Sequence, residues 1–322
     1  MAGSGVAKSP PMKMNIVRGT PSQLTAFLVL NIWTSHAGLP FLLAVVLLAK
    51  GVKRHPTFAN LCIAFMIIGF ASSLLVYGSA TSGPEPPPVL CLLQASLLYG
   101  MPTFTSTAAF MLVWQMFLRV RVAYHCKPYD NENHVLRLWT MLAGPYIMYF
   151  IPVLITAGIG AGRPERVSRN RRFFYCSVES LPLTNGIALS SGIILLGTVS
   201  LIAWSIFILV RHRILVKPKG NQPPVNLDLS LPIRIMIFGL YLILAMSLSF
   251  LSVSSPSSPV PDLAIATAGS VVILIFGTQR DILRALCFWK RNRRRVIHIE
   301  PDIVTPDLRT AFDEVKKQAE RR

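Results

Sequence analysis

Charged residues are scarce in this sequence. Asp, Glu, Lys and Arg make up 14% of its 322 residues, whereas 52% are hydrophobic and the mean hydropathy is +0.52. A soluble domain of this length needs more charge to cover its surface, so the composition favours a membrane protein. The net charge of +18 does not indicate nucleic-acid binding, because the basic residues lie between apolar blocks and at the C-terminus.

Acidic residues and lysine are missing from the long apolar stretches. A helix needs about 20 largely apolar residues to cross the hydrocarbon core, where its backbone must satisfy its own hydrogen bonds. On this basis we predict seven transmembrane spans, and none of them contains Asp, Glu or Lys. The predicted spans are 24–49, 57–80, 89–118, 135–158, 184–210, 231–253 and 263–279.

The lack of ionisable groups inside the spans excludes several classes of membrane protein. Ion-coupled transporters and proton pumps need such groups, and here only His36 qualifies, since Arg137 and Arg234 lie near span ends. A retinal protein needs a lysine in a span, and an intramembrane metalloenzyme needs clustered His, Asp or Glu. We therefore predict neither an enzyme nor a cofactor.

The distribution of Lys and Arg predicts the orientation. With the N-terminus outside, 24 of the 32 basic residues fall on the cytoplasmic side, as the positive-inside rule requires. The predicted organisation is an extracellular segment 1–23 without a cleaved signal peptide, a seven-span bundle 24–279, a cytoplasmic amphipathic helix 280–292 and a cytoplasmic tail 293–322.

One predicted outer loop, 159–183, departs from the positive-inside rule. It carries five arginines where the rule expects few. An excess of positive charge on an outer surface hints at an anionic ligand or an anionic surface. The five are Arg163, Arg166, Arg169, Arg171 and Arg172.

Two of the five cysteines fall on the predicted outer side. Cys91 opens span 3 at its outer end, and Cys176 lies in the loop before span 5. Because disulfides persist in an oxidising compartment, we predict a Cys91–Cys176 bond that ties the loop over the bundle; two free thiols are the alternative. Cys62, inside span 2, is predicted to be a packing residue.

Polar residues inside the spans have two interpretations. Most are expected to form hydrogen bonds between helices. Those in the outer halves also form a candidate ligand pocket, which Pro102 would open by leaving a helix carbonyl without its usual partner. The pocket candidates are His36, Gln94, Tyr99 and Thr103.

After span 7, apolar residues recur at helical spacing among basic ones. Ile282, Leu283, Leu286 and Trp289 form the apolar series. We predict an amphipathic helix on the inner leaflet, with its basic groups near anionic lipid; a frayed end of span 7 is the alternative. Cys287 on this segment is a candidate for palmitoylation, and an unmodified thiol is the other interpretation.

Short motifs at the span ends carry a family resemblance. The run CLLQA (91–95) opens span 3, Pro102 lies within it, and the run IFGTQ (275–279) closes span 7. With seven spans and an outer cysteine pair, residues 24–292 resemble a G-protein-coupled receptor. The motifs are similar to orphan seven-span receptors of basidiomycete fungi and, more weakly, to fungal receptors for lipidated peptide pheromones.

The chain also departs from the rhodopsin-like class of that superfamily. That class carries an acidic residue before the arginine that ends span 3, and the run 116–121 has none. Its acidic residue in span 2 and its Asn-Pro-x-x-Tyr motif in span 7 are missing too. The resemblance therefore implies neither the sodium site nor the ionic lock of that class.

The resemblance implies a signalling receptor of the plasma membrane. It would bind an unknown extracellular ligand and couple to a heterotrimeric G protein. A transporter or channel, and a membrane scaffold that signals without a G protein, are the alternatives. The basic residues expected at the cytoplasmic coupling surface are Arg119, Arg121, Arg211 and Arg213.

Overall fold

The computed structural model shows an all-α fold with one short β-hairpin. It describes residues 19–49, 54–82, 84–125, 134–169, 172–215, 233–234, 236–241, 243–244, 247 and 259–286. Within this part of the chain, five helical segments are long and apolar enough to cross a membrane, which confirms the predicted all-α membrane fold at this level. These segments are Pro21–Leu48, Pro88–Val122, Val135–Gly162, Leu181–Arg211 and Val260–Gly277.

Helices make up most of the described elements. A π-helical turn, Trp33–Gly38, joins the first two helices, and the hairpin strands β1 (Val167–Ser168) and β2 (Ser177–Val178) lie between the seventh and eighth. The helices are α1 (Pro21–Ile32), α2 (Leu39–Leu48), α3 (Pro56–Ser72), α4 (Leu74–Tyr77), α5 (Pro88–Tyr99), α6 (Met101–His125), α7 (His134–Gly162), α8 (Leu181–Leu215), α9 (Val260–Ala266), α10 (Ala268–Gly277) and α11 (Arg280–Leu286).

Proline accounts for two of the helix irregularities. Pro40, the second residue of α2, has no N–H for the carbonyl of His36 and crowds it, so the preceding turn widens into the π-helix. Pro102 acts in the same way where α5 and α6 meet. There the backbone bends at Gly100, and the carbonyl of Leu98 accepts the Gly100 N–H. The carbonyl that Pro102 was expected to leave without a partner therefore has one.

Two of the predicted span boundaries change. The segment 57–80 divides at Ser73 into α3 and α4, and Pro56–Ser72 is a shorter apolar helix. The last span begins at Val260 instead of residue 263, so Asp262 lies in its first turn. The expectation that no span holds an acidic residue is therefore wrong for this position. Of the predicted span 231–253, the described residues are helical.

The core of the bundle forms around α6, which packs against α3, α7 and α8. Its side chain Phe104 is fully buried and lies 4.7 Å, centroid to centroid, from the ring of Tyr149 on α7. On the other side of the core, Phe276 of α10 packs 4.9 Å from Phe58 of α3. Aromatic pairs therefore hold neighbouring helices together without a polar contact.

The outward faces of α7 and α8 are apolar. Leu154, Leu189, Leu196 and Trp204 each expose more than 60% of their surface. Apolar faces of this extent on two helices would cause aggregation in water. They match the lipid-facing surface of a helix bundle, which agrees with the predicted membrane location.

Close packing between α1 and α3 depends on a glycine. A Cβ atom added to Gly69 would overlap the side chain of Ser35 and come within 2.8 Å of the Asn31 carbonyl oxygen. The backbone of the first span cannot shift without a free-energy cost, because the Ser35 hydroxyl also donates to the Asn31 carbonyl at 2.7 Å. Gly186 of α8, by contrast, has open space at its Cβ position.

Substituting the two glycines by alanine should therefore have opposite effects. We expect Gly69→Ala to destabilise the bundle by about 1–3 kcal/mol through overpacking. Gly186→Ala should leave stability unchanged or raise it slightly, since alanine is the better helix former. Thermal unfolding of both purified variants in detergent measures this difference. Equal unfolding midpoints for the two variants would show that α1 and α3 do not pack as described.

Candidate functional site

A disulfide defines one end of the bundle. Cys91, in the first turn of α5, and Cys176, before α8, are bonded, with their Cα atoms 5.3 Å apart, and both are buried. The predicted pairing is therefore confirmed. We call residues 163–180 the disulfide loop, this end of the bundle the disulfide end, and the opposite end the tail end. The predicted packing role of Cys62 also fits, since its thiol is free and fully buried.

Gln94 links the disulfide loop to two helices. Its side chain is fully buried one turn beyond Cys91. The amide nitrogen donates to the carbonyls of Ala71 and Ser72, both at 3.3 Å, and the amide oxygen accepts the Cys176 N–H at 3.1 Å. These carbonyls belong to the last turn of α3, where helix carbonyls lack partners. One amide thus holds α3, α5 and the loop together.

Tyr99 and Thr103 also have partners within the protein. The Tyr99 hydroxyl donates to the carbonyl of Val178 in β2 at 2.8 Å. The Thr103 hydroxyl lies 2.8 Å from the carbonyl of Met148 on α7. Like Gln94, these predicted pocket residues fix the position of the loop or of a neighbouring helix, as the packing interpretation expects.

His36 lies apart from that group, on the exposed side of the π-helical turn. Ser35 donates to the Asn31 carbonyl, so its oxygen accepts from Nδ1–H of His36 at 2.7 Å. The Nε2 atom of His36 then accepts from the hydroxyl of Tyr77. The ring also packs 4.4 Å from Phe70. His36 therefore joins the first span to α3 and α4 as an interhelical histidine.

Asp262, at the start of α9, anchors the disulfide loop to the last span. Its carboxylate accepts from the Tyr175 hydroxyl at 3.0 Å and from the Arg172 guanidinium at 3.5 Å, and the residue is 7% exposed. Burial raises the pKa of the Tyr175 phenol, which keeps it protonated as a donor. A neutral donor and a cation together offset part of the cost of burying this carboxylate.

Sequence reasoning missed this cluster because it placed Asp262 just outside the start of the last predicted span. One signal was available: Pro261-Asp262 has the composition of a helix start, where an acidic residue favours the first turn. The partner residues gave no such signal. Arg172 and Tyr175 lie 90 and 87 residues away from Asp262 in the sequence.

Aromatic side chains seat the disulfide loop on α1. Phe174 is buried and stacks on Phe27 with ring centroids 4.8 Å apart. Its neighbour Phe173 covers Gly19, which precedes α1. With Ala266 of α9, these residues form a small core that is separate from the centre of the bundle. The loop thus contacts the first span and the last span together.

The loop arginines divide into two groups. Arg169 donates to the carbonyls of Ala80 at 2.6 Å and Pro84 at 3.4 Å, and Arg172 binds Asp262. These two hold the loop in place. Arg163 is exposed and Arg166 is partly exposed, so they face outward as the hypothesis of an anionic ligand requires. Arg171 lies outside the described residues.

The tail end carries the residues predicted to couple to a partner. Arg121 and Arg211 are exposed on the last turns of α6 and α8, while Arg119 is partly buried. The side chain of Arg213 and the whole of Cys287 lie outside the described part of the structure. Of the helix predicted at 280–292, Arg280–Leu286 is helical as α11, with Ile282 buried, and 287–292 lies outside the described residues.

Two further arginines at the tail end were not predicted as site residues. Arg54 precedes α3 and donates to the side chains of Gln279 and Asp281. Arg234 donates to the Thr278 hydroxyl at 2.7 Å and to the carbonyl of Ile275. Both arginines therefore reach the turn between α10 and α11. The sequence marked Arg234 only as a basic residue near a span end.

The best-formed surface grooves lie away from all of these residues. One runs along α7 between Trp139 and Leu154, and the other lies on α8 around Trp204. Their walls are almost wholly apolar, and they face the side of the bundle that lipid would cover. Neither groove is lined by His36, Gln94, Tyr99 or Thr103, whose proposed contact with a ligand stays a prediction.

The pair of Asp262 and Arg172 should show measurable coupling. We expect a double-mutant cycle of Asp262→Asn and Arg172→Gln to give a coupling energy of about 0.5–3 kcal/mol, because the two charges share a mostly buried contact. Thermal unfolding of the two single variants and the double variant gives this value. The matched control pairs Asp262→Asn with Arg163→Gln, an exposed arginine of the same loop. Additive effects in the first cycle would show that no such contact exists.

The chain has no match among protein-family models, and none among curated protein sequences. Its function is therefore inferred from its own residues. Two features matter most. One is a loop tied by a disulfide to α5 and by Asp262 to α9, and the other is a tail end where arginines meet the end of α10.

Proposed function

We propose that the protein is a G-protein-coupled receptor-like signal transducer of the plasma membrane. In this proposal its chain crosses the membrane seven times with the N-terminus outside. It binds an extracellular ligand at the disulfide end and shifts helix packing at the tail end, where a heterotrimeric G protein docks. It needs no cofactor and catalyses no reaction.

The disulfide supports the proposed orientation. A structural disulfide persists in an oxidising compartment, which favours the outside for the disulfide end. The first span starts at this end, since Phe27 packs on the loop. The last span also starts there, at Asp262, and finishes at the tail end. A chain that starts on one side and finishes on the other crosses an odd number of times, which fits seven spans.

The observation that carries the proposal is that the last span is held at both ends. At the disulfide end the loop binds Asp262 through Arg172 and Tyr175. At the tail end Arg54 and Arg234 bind the residues that close α10. A ligand that moves the loop therefore has a continuous path of packed and hydrogen-bonded residues to the opposite surface.

The proposed mechanism is a population shift. A ligand changes the tail end only to the extent that it binds one helix arrangement better than another. Gln94 and Tyr99 are well placed for such a preference, because each bonds the disulfide loop to the helices beneath it. A ligand that competed for these bonds would displace the loop and alter its hold on Asp262.

The exposed arginines at the tail end fit a partner with acidic surface groups. Arg121 and Arg211 lie on neighbouring helices, since α6 and α8 pack against each other. Complementary charge of this kind raises the rate at which partners associate. Topology alone also places basic residues on the cytoplasmic side, so the role of these two needs a functional test.

Removing the charge of Arg121 should weaken coupling. We expect wild-type protein in vesicles to speed nucleotide uptake by a co-reconstituted heterotrimeric G protein, and Arg121→Gln to slow it about threefold through slower association. Glu165→Gln, which removes an exposed charge at the other end, should match the wild type. If nucleotide uptake with the wild-type protein equalled uptake with empty vesicles, the proposal would be refuted. Ion flux in the same vesicles would indicate a channel instead.

The two termini should lie on opposite sides of the plasma membrane. We expect an epitope tag before residue 1 to be stained on intact cells, and a tag after residue 322 to be stained only in permeabilised cells. A tag on a known cytoplasmic protein controls for leakage. If both tags were stained on intact cells, the number of spans would be even.

A further inference from the structure

The turn that joins α10 to α11 is bound by two arginines from other parts of the chain. Arg54, 225 residues before Gln279 in the sequence, donates to the Gln279 side-chain oxygen and to the carboxylate of Asp281. Arg234, from the segment 233–247, donates to the carbonyl of Ile275, to the Thr278 hydroxyl at 2.7 Å and to the Thr278 carbonyl at 3.2 Å. We call Arg54, Arg234 and Gln279 the clamp.

The physical basis of the clamp is the end of a helix. The last carbonyls of α10 have no partner within that helix, and the helix dipole makes this end negative. A guanidinium from a neighbouring helix supplies both donors and a positive charge. The contacts of Arg234 therefore join the helical segment that carries it to the end of α10, where backbone carbonyls lack partners within the helix.

The clamp leaves one polar group unsatisfied. Gln279 is 3% exposed, and its side-chain nitrogen finds no acceptor among the described residues. Its side-chain oxygen faces Arg54, which fixes the direction of the amide. A buried donor without a partner disfavours the arrangement that contains it. Burying this nitrogen without an acceptor therefore costs the closed clamp free energy. An open arrangement, in which water binds the amide, would not carry that cost.

The other described contacts at this interface are apolar or hydrogen-bonded. Phe238 packs on Phe276 with ring centroids 5.7 Å apart. Farther towards the disulfide end, the Tyr241 hydroxyl lies 3.0 Å from the Ala264 carbonyl and 2.8 Å from the Thr267 hydroxyl. These contacts hold the two helices together along their length, so the clamp can open at the tail end without separating them.

We propose that the clamp is a two-state latch that keeps the tail end closed until it is released. Release frees the segment that carries Arg234 from the end of α10 and allows α11 to move. Its role in signalling rests on the proposed function, because a latch reports ligand binding only if the protein is a receptor. The existence of the two states does not depend on any partner.

Two substitutions should shift the latch in opposite directions. Arg234→Gln removes the cation from the end of α10, and we expect amide hydrogen exchange in 275–286 to rise roughly tenfold. Gln279→Glu keeps an acceptor for Arg54, removes the unsatisfied donor and adds a negative charge, so exchange there should fall. Tyr241→Phe, the matched control, loses a hydrogen bond at the same interface and should leave exchange in 275–286 unchanged.

The measurement is hydrogen–deuterium exchange by mass spectrometry on the full-length protein in nanodiscs, without ligand or G protein. Equal exchange in Arg234→Gln and Tyr241→Phe would overturn the latch, and so would faster exchange in Gln279→Glu. If Arg234→Gln does not fold, the Gln279→Glu result decides alone.

Nucleotide uptake by the G protein, measured with the same variants, separates the latch proposal from the proposed receptor function. Shifted exchange with no uptake in any variant would support the latch and refute the receptor.

Discussion

The absence of water around the helices is the constraint on which the structure depends. A polar group that faces hydrocarbon without a partner costs more than a hydrogen bond returns, which favours partners inside the bundle. Hydroxyl side chains meet this demand locally by donating to the carbonyl one turn earlier in their own helix. Examples are Thr34 to Leu30, Ser73 to Gly69, Thr156 to Pro152 and Ser205 to Leu201.

Helix irregularities extend the same constraint to contacts between helices. Where α3 ends at Ser72, its last carbonyls would be unsatisfied, and the buried amide of Gln94 takes two of them. The remaining oxygen of that amide binds the loop backbone at Cys176. The site at the disulfide end is thus a consequence of how the bundle satisfies its own backbone. A ligand acting there would compete with bonds that also maintain the fold.

The sequence predicted the parts of the structure that depend on local pattern. Apolar runs gave most of the spans, and cysteine position gave the Cys91–Cys176 bond. It did not reveal Asp262, Arg54 or Arg234 as contact residues, because their partners lie 41 to 227 residues away and no periodicity relates them. Helical spacing rules connect residues three or four apart, so contacts between helices are invisible to them. Span ends moved for a related reason, since caps are set by contacts as well as composition.

The charges on the last span follow its dipole. Asp262 lies in its first turn, where the free N–H groups favour a negative charge, and Arg234 binds the Ile275 carbonyl in its final turn, where carbonyls favour a positive one. Arg54 binds the side chains of Gln279 and Asp281 just beyond that turn. Between them Val272 and Phe276 are fully or almost fully buried and apolar. Each charged contact therefore lies near an end of the span, while the part between them, which is interrupted at Thr267, packs in the core. The same arrangement that makes the charges tolerable thus also links each end of the last span to its neighbours.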